Sequence, residues 1–238
     1  MIYMGSKARI KKDILPVILQ HRKNHKQWYV EPFTGGMNVI CDVPGNRIAN
    51  DINPYLISMF KACLDGWKPC YITEEQYKHI RDNKDNYRPE LVGWAGFCCS
   101  FGSKFFGGYV GGVRLIKRGD GSFGKRDDQK NSYINLSRQL DKLRGVVILN
   151  NDYKELFIPP KSIIYCDPPY KGTTGYKVDF NHVEFWEWVR VKTLEGHHVY
   201  TSEYDAPPDF KCIWEKELIS SLRFDGTKST EKLFVYNP

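Results

Sequence analysis

Asp167, Pro168, Pro169 and Tyr170 stand in a row and combine the groups that can hold a flat base by an exocyclic amine: a carboxylate, a backbone carbonyl and an aromatic ring. Neither proline has an amide hydrogen, and both hold the backbone extended, so the tetrapeptide is a stiff lip rich in acceptors. It follows the apolar run 162–166, which predicts a buried strand. The lip therefore falls at a strand's carboxyl end, where ligands bind in open α/β sheets. Asp-Pro-Pro is also ordinary turn chemistry, so the reading depends on what else reaches the same edge.

Three further strands are predicted to end on acids. The run 28–31 ends at Glu31 and passes through Pro32, Phe33 and Thr34 into the turn Gly35-Gly36, where a ligand can approach bare backbone. No Gly-x-Gly-x-x-Gly and no Gly-x-x-x-x-Gly-Lys-Ser/Thr occurs, which disfavours pyrophosphate cofactors and nucleoside triphosphates. The strand 47–50 delivers Asp51 about fifteen residues past the glycines, where a carboxylate can accept from a ribose diol or serve as a helix cap. The strand 146–149 runs through Asn150 and Asn151 to Asp152, which can accept from an adenine amine or cap a turn. With strand order 3-2-1-4-5, the first and fourth strands flank the switch point, and Asp167 lies beside residues 33–36. Four convergent acids suit a cationic nucleoside such as S-adenosylmethionine.

The elements that must position these residues read as an α/β fold: a Rossmann-like, mostly parallel sheet with helices on both faces. Ser6 can cap a first helix that buries Ile10, Ile14, Leu15 and Ile18 and that Pro16 should kink or split. A short helix is expected over 37–42 and another from Asn53 or Pro54 to about 65. Thr73 and Gln76 form a capping box, and helices are expected over 89–101 and 132–143. Between these last two, residues 102–124 hold eight glycines interleaved with aromatics and read as a loop that orders on contact. Asn181 caps a helix carrying Val183, Trp186, Val189 and Leu194; strands over 198–202, 213–218 and 233–236 close the sheet. The domain reading is a body of 1–61 and 145–238 with an inserted helical subdomain, 62–144.

The 238 residues carry a net charge of +7, concentrated in two places. Residues 1–26 and residues 104–144 each have a net charge of +6, leaving the remainder at −5, a distribution that suits a polyanionic partner. Lys104, Arg114, Lys117, Arg118, Lys125 and Arg126 are the candidate contacts to nucleic acid. No apolar run of membrane-spanning length exists, and Lys7, Arg9, Lys11, Lys12 and Asp13 break any signal-peptide core. Seven unpatterned cysteines suggest a reducing compartment and no structural metal. His197 and His198 enter a strand and read as structural or surface residues.

Glu-Pro-Phe-Thr-Gly-Gly at 31–36, Asn-Asp-Ile-Asn at 50–53 and Asp-Pro-Pro-Tyr at 167–170, in this order, resemble the Dam-type (D12 class) DNA adenine-N6 methyltransferases. Tyr3-Met4-Gly5-Ser6-Lys7 is similar to that family's aromatic-x-Gly-x-Lys opening; Met37 departs from it, where a third glycine is frequent. The resemblance implies S-adenosylmethionine as cofactor and double-stranded DNA as substrate. It implies a cofactor pocket closed by Tyr3 and Lys7 and lined by Glu31, Phe33, Gly35, Gly36, Ile52 and Asp167, with Asp51 on the ribose and Asp152 and Tyr153 at the adenine. Asp167 and the Pro168 carbonyl would accept the target amine's hydrogens, with Pro169 stiffening the corner and Tyr170 stacking on a flipped base. The target-recognition region would fall within 62–144. The expected protein is a cytoplasmic monomer of a bacterial or phage-infected cell that needs no partner endonuclease. A cytosine-N4 enzyme, a silent DNA-binding module, and an RNA or protein-glutamine methyltransferase are the rival readings.

Overall fold

The computed structural model describes residues 1–117, 119–170, 180–219 and 228–238. Among the described residues, nine strands and six α-helices follow in chain order: α1 (Lys11–Leu19), β1 (Tyr29–Glu31), β2 (Arg47–Asn50), α2 (Pro54–Leu64), α3 (Glu74–Asp82), α4 (Pro89–Gly93), β3 (Val113–Lys117), β4 (Phe123–Asp127), α5 (Asp128–Leu143), β5 (Val147–Leu149), β6 (Ile163–Cys166), α6 (His182–Leu194), β7 (His198–Glu203), β8 (Phe210–Ile219) and β9 (Lys228–Tyr236).

Seven strands form one sheet in the order β5-β2-β1-β6-β7-β9-β8. Its first five strands are parallel and reproduce the expected 3-2-1-4-5 order; β9 then pairs antiparallel with both β7 and β8. Every residue of β1, β2 and β6 is buried, as central parallel strands covered on both faces require. Val30 lies opposite both Ile48 and Ile164, and Cys166 lies opposite Thr201, so the carboxyl ends of these strands share one edge. Because β9 runs the other way, Glu203 pairs with Lys232 and Glu231 arrives at that same edge.

Two hydrophobic clusters cover the sheet. One joins Ile10, Ile14 and Ile18 of α1 with Leu56, Met59 and Phe60 of α2, and continues into Tyr77, Trp94, Phe97 and Leu136. The other packs Phe185 and Val189 of α6 against Val30, Ile164 and Val199. Each fully buried side chain of this size contributes roughly 1.5–3 kcal/mol relative to exposure. Asn53 caps α2 by accepting from the Tyr55 and Leu56 amides, and Thr73 and Gln76 complete their capping box on α3. Arg47 of β2 donates to the Lys142 and Arg144 carbonyls, docking the end of α5 onto the sheet and satisfying carbonyls the helix leaves open. Among the described residues, no helix is long and apolar enough to cross a membrane.

Several local expectations are corrected. The opening helix breaks at Ile10, between a one-turn 3₁₀ segment capped by Ser6 and α1, which runs unbroken through Pro16. Residues 37–42 give only a 3₁₀ turn at Ile40–Asp42, because Met37 takes a left-handed φ of 54°. The helix from Pro89 loosens into a π-turn, Trp94–Cys98, and stops short of Phe101. α5 begins at Asp128 rather than Ser132, with Asp127 accepting from the Lys130 amide. On α6, Val183 and Leu194 face solvent, while the sheet receives Phe185, Trp186 and Val189. The glycine-rich segment is not a loop throughout. Phe105, Phe106 and Tyr109 pack against the core, and β3 and β4 form a hairpin in which Arg114 pairs with Arg126 and Leu115 with Lys125.

Candidate active site

A cavity of about 600 Å³ opens at the carboxyl edge of the parallel strands. Glu31 after β1, Asp51 after β2, Asp152 after β5 and Asp167 after β6 all line it, as do Phe33, Gly35, Gly36, Ile52, Tyr153, Pro168, Pro169 and Tyr170. Tyr3 and Lys7 enter from the N-terminal segment, so each expected cofactor-binding and catalytic residue lines this one cavity. The Tyr3 side chain covers the glycine turn so closely that a Cβ would sit 2.7 Å from its ring Cε1 at Gly35 and 2.6 Å from its Cβ at Gly36. Glycine is required at both positions for this approach.

The acids differ in what holds them. Glu31 is buried and accepts from the Tyr29 hydroxyl at 2.8 Å and the Thr34 hydroxyl at 3.0 Å. Burial dominates, and the carboxyl is pushed up to about 8. Asp51 accepts from the Gly35 and Asn53 amides, both at 2.9 Å, and so ties the glycine turn to the end of β2. Burial raises its carboxyl and the two amides oppose the rise. Asp51 does not cap α2, since Asn53 does so. Asp152 accepts from the Lys154 amide at 2.9 Å and keeps its turn-capping role while it borders the cavity.

At the Asp-Pro-Pro-Tyr corner, Lys7 places Nζ 2.9 Å from Asp167 and 3.6 Å from Glu231. The same ammonium lies 4.5 Å from the centroid of the Tyr170 ring. Tyr170 donates its hydroxyl to Glu231 at 2.9 Å, and its ring meets that of Tyr204 edge-on at 4.7 Å. Burial alone would lower the Lys7 pKa; the carboxylates of Asp167 and Glu231 outweigh it and hold the ammonium above the ordinary lysine value. Burial pushes the Asp167 carboxyl up, and Lys7 opposes that push. The Tyr170 phenol is raised well above its ordinary value by burial and by the two neighbouring carboxylates.

The residues fit a cationic nucleoside carrying an amino-acid tail. Acids surround the cavity, aromatic rings of Phe33, Tyr153 and Phe180 cluster at one side with Phe33 and Tyr153 5.0 Å apart, and the glycine turn exposes backbone. Asn38, beside that turn, has a buried amide nitrogen with no hydrogen-bond partner among the described residues, a donor suited to a carboxylate.

The expected nucleic-acid contacts divide. Lys104 lies at the cavity rim, whereas Arg114, Lys117, Lys125 and Arg126 lie on the β3–β4 hairpin. Arg114 and Arg126, opposite each other in register, share the buried Asp128 carboxylate at 2.8 and 2.6 Å. Lys117 and Lys125 are exposed; Arg118 lies outside the described residues. His197 accepts from the Ser162 amide and His198 stacks on His21 at 4.9 Å beside a separate hollow of about 270 Å³, a structural setting. Sequence reasoning missed Glu231, Tyr204 and Asn38. Tyr204 follows the end of β7 and could have been found by the strand-end rule that located the four acids; Glu231 depends on an antiparallel strand whose register no motif marks.

Residues 3–91 match the model of the D12 class N6 adenine-specific DNA methyltransferase family. The chain is also similar to the type II methyltransferase M.FokI of Planomicrobium okeanokoites, 22% identical over 217 residues, which cover 81% of this chain and 32% of that relative. It thus spans about a third of the length of the curated relative it matches. Among solved structures, it is similar to the tRNA (m1A58) methyltransferase TrmI of Aquifex aeolicus, with a TM-score of 0.38 and 11% identity over 95% of this chain and 68% of that one. A Listeria monocytogenes structure described as a class I S-adenosylmethionine-dependent methyltransferase has a TM-score of 0.43 and 10% identity, covering 100% of this chain and 61% of its own. The resemblance to the D12 class is borne out over residues 3–91, which contain the glycine turn and the Asn-Asp-Ile-Asn segment.

Proposed function

We infer that this chain, a D12 class sequence over its N-terminal part, transfers a methyl group from S-adenosylmethionine to N6 of adenine at a specific site in double-stranded DNA. The observation that supports this most is that the Asp167–Tyr170 corner and the glycine turn at 33–36 line one cavity. Bound there, the cofactor supplies a methyl group on a sulfonium, an excellent leaving group. Tyr3 covers the glycine turn, Glu31 and Asn38 face the amino-acid end, Asp51 and Ile52 the ribose, and Asp152 and Tyr153 the adenine; Phe33 packs beneath, and Gly35 and Gly36 let the ligand close on the backbone.

The N6 lone pair of adenine is delocalised into its ring. Asp167 and the Pro168 carbonyl, accepting the two amine hydrogens, favour a pyramidal nitrogen and aim its lone pair at the methyl group. Catalysis is then mostly positioning and electrostatics. Extruding the base costs a few kcal/mol, and stacking on Tyr170 returns roughly 1–3 kcal/mol. Pro169 keeps the corner rigid.

The body of 1–61 and 145–238 carries the chemistry, and 62–144 reads the DNA through Lys104, Arg114, Lys117, Arg118, Lys125 and Arg126. The enzyme works as a monomer in the cytoplasm of a bacterial or phage-infected cell and needs no restriction endonuclease. Incubation with labelled cofactor and duplex DNA, single-stranded DNA or RNA, followed by digestion to nucleosides, tests the reading. Label in N6-methyldeoxyadenosine from duplex is expected; label in cytosine, in RNA or nowhere overturns it.

A further inference from the structure

We propose that Glu231 is a second seat for the Lys7 ammonium, and that Lys7 moves from Asp167 to Glu231 as the target base enters. This rests on the proposed function, in which Asp167 takes an amine and Tyr170 a base. Lys7 Nζ lies 2.9 Å from Asp167 Oδ1 and 4.5 Å from the Tyr170 ring centroid. One cation thus stands against the acceptor an amine needs and over the ring face a base needs. Base entry requires the ammonium to give up its contact with Asp167.

The ammonium is buried, with 6% side-chain exposure, so it cannot simply turn to water. An unpaired buried charge is strongly destabilising. Within reach are the Gly5 carbonyl at 3.2 Å and Glu231 Oε2 at 3.6 Å, and of these only Glu231 supplies a compensating charge. Glu231 is itself 12% exposed and is fixed by the Tyr170 hydroxyl. A shift of about an ångström brings Nζ to hydrogen-bond distance of it. Among the described residues, the other ionisable group acting on the ammonium is Tyr204, beside the Tyr170 ring; Glu31, which also lines the cavity, is already held by Tyr29 and Thr34. Glu231 is on this account a positioning residue that acts through Lys7.

The test compares Glu231→Gln, Lys7→Met and the double variant. Gln keeps an acceptor for the Tyr170 hydroxyl but removes the charge. In the wild-type background Glu231→Gln lowers kcat about tenfold, within the range of coupled neighbouring side chains, and leaves cofactor Kd unchanged; Glu231→Asp restores part of the rate. In the Lys7→Met background Glu231→Gln has no further effect. An equal loss in both backgrounds, or none in the wild type, overturns the proposal. A second arm needs no activity. In Asp167→Asn the ammonium still has Glu231, so Asp167→Asn combined with Glu231→Gln lowers Tm by more than the sum of the two single changes. Additive losses show that there is no second seat. Should the wild type methylate no DNA, the proposed function fails, while the Tm arm still decides whether Glu231 can hold Lys7.

Discussion

Replacing Glu31 with Gln should make the protein more stable at neutral pH, by an amount that grows with pH. The buried Glu31 carboxyl is pushed from its ordinary 4.5 up to about 8. Below the lower value, folded and unfolded chains both hold the proton and folding carries no penalty. Above it the unfolded chain ionises while the folded chain does not, and stability is lost until the pH passes the folded value. The slope is about 1.4 kcal/mol per pH unit, or about 3 kcal/mol by pH 7. Gln matches the protonated acid in shape, keeps an acceptor for the Tyr29 hydroxyl, and can donate to the Thr34 hydroxyl. Urea unfolding of both proteins between about pH 5 and pH 8 should show the variant gaining on the wild type at that slope. Two parallel stability curves would refute the reasoning, because they would mean that Glu31 ionises alike in both states. The same buried acid makes a second readout: if a cationic amine binds beside Glu31, uptake of the cofactor at pH 7 releases a proton, visible as a buffer-dependent binding enthalpy that Glu31→Gln abolishes.

Three other outcomes are expected. Tyr170→Ala should reduce kcat/KM by roughly 5- to 150-fold, the equivalent of about 1–3 kcal/mol of stacking, with a smaller loss of fold stability in denaturant titration; comparable losses in both would contradict a stacking role. Gln139 donates to the Gly36 and Met37 carbonyls at 2.8 Å, joining α5 to the glycine turn, so Gln139→Leu should cost about 1–3 kcal/mol of stability and weaken cofactor binding in equilibrium dialysis, whereas loss of stability at full affinity would separate α5 from the pocket. Lys117→Ala and Lys125→Ala should each flatten the dependence of log DNA affinity on log salt by about one phosphate contact, and an unchanged slope would place the hairpin lysines off the DNA.

The sheet was legible because its central strands are short apolar runs that stop on an acid or an amide, and chain order with right-handed crossovers leaves few ways to arrange them. That made the cavity wall legible too: Glu31, Asp51, Asp152 and Asp167 reach one edge because parallel strands all end there. The hairpin was not legible, since Val113, Leu115 and Phe123 are exposed and alternate with charges that also face solvent, leaving no buried face to imprint a pattern. Nor was the contact of Lys7 with Asp167 and Glu231. It joins three distant parts of the chain, and Glu231 arrives only because β9 reverses direction at the sheet's far side.

The most direct test of methyl transfer at the Asp167 corner is genome-wide mapping of modified bases in cells that express the chain and have no adenine methylation of their own, with Asp167→Ala as the paired strain. The account predicts N6-methyladenine at one recurrent sequence with the wild type and none with the variant. Modification that persists in Asp167→Ala, or that falls on cytosine, would contradict it.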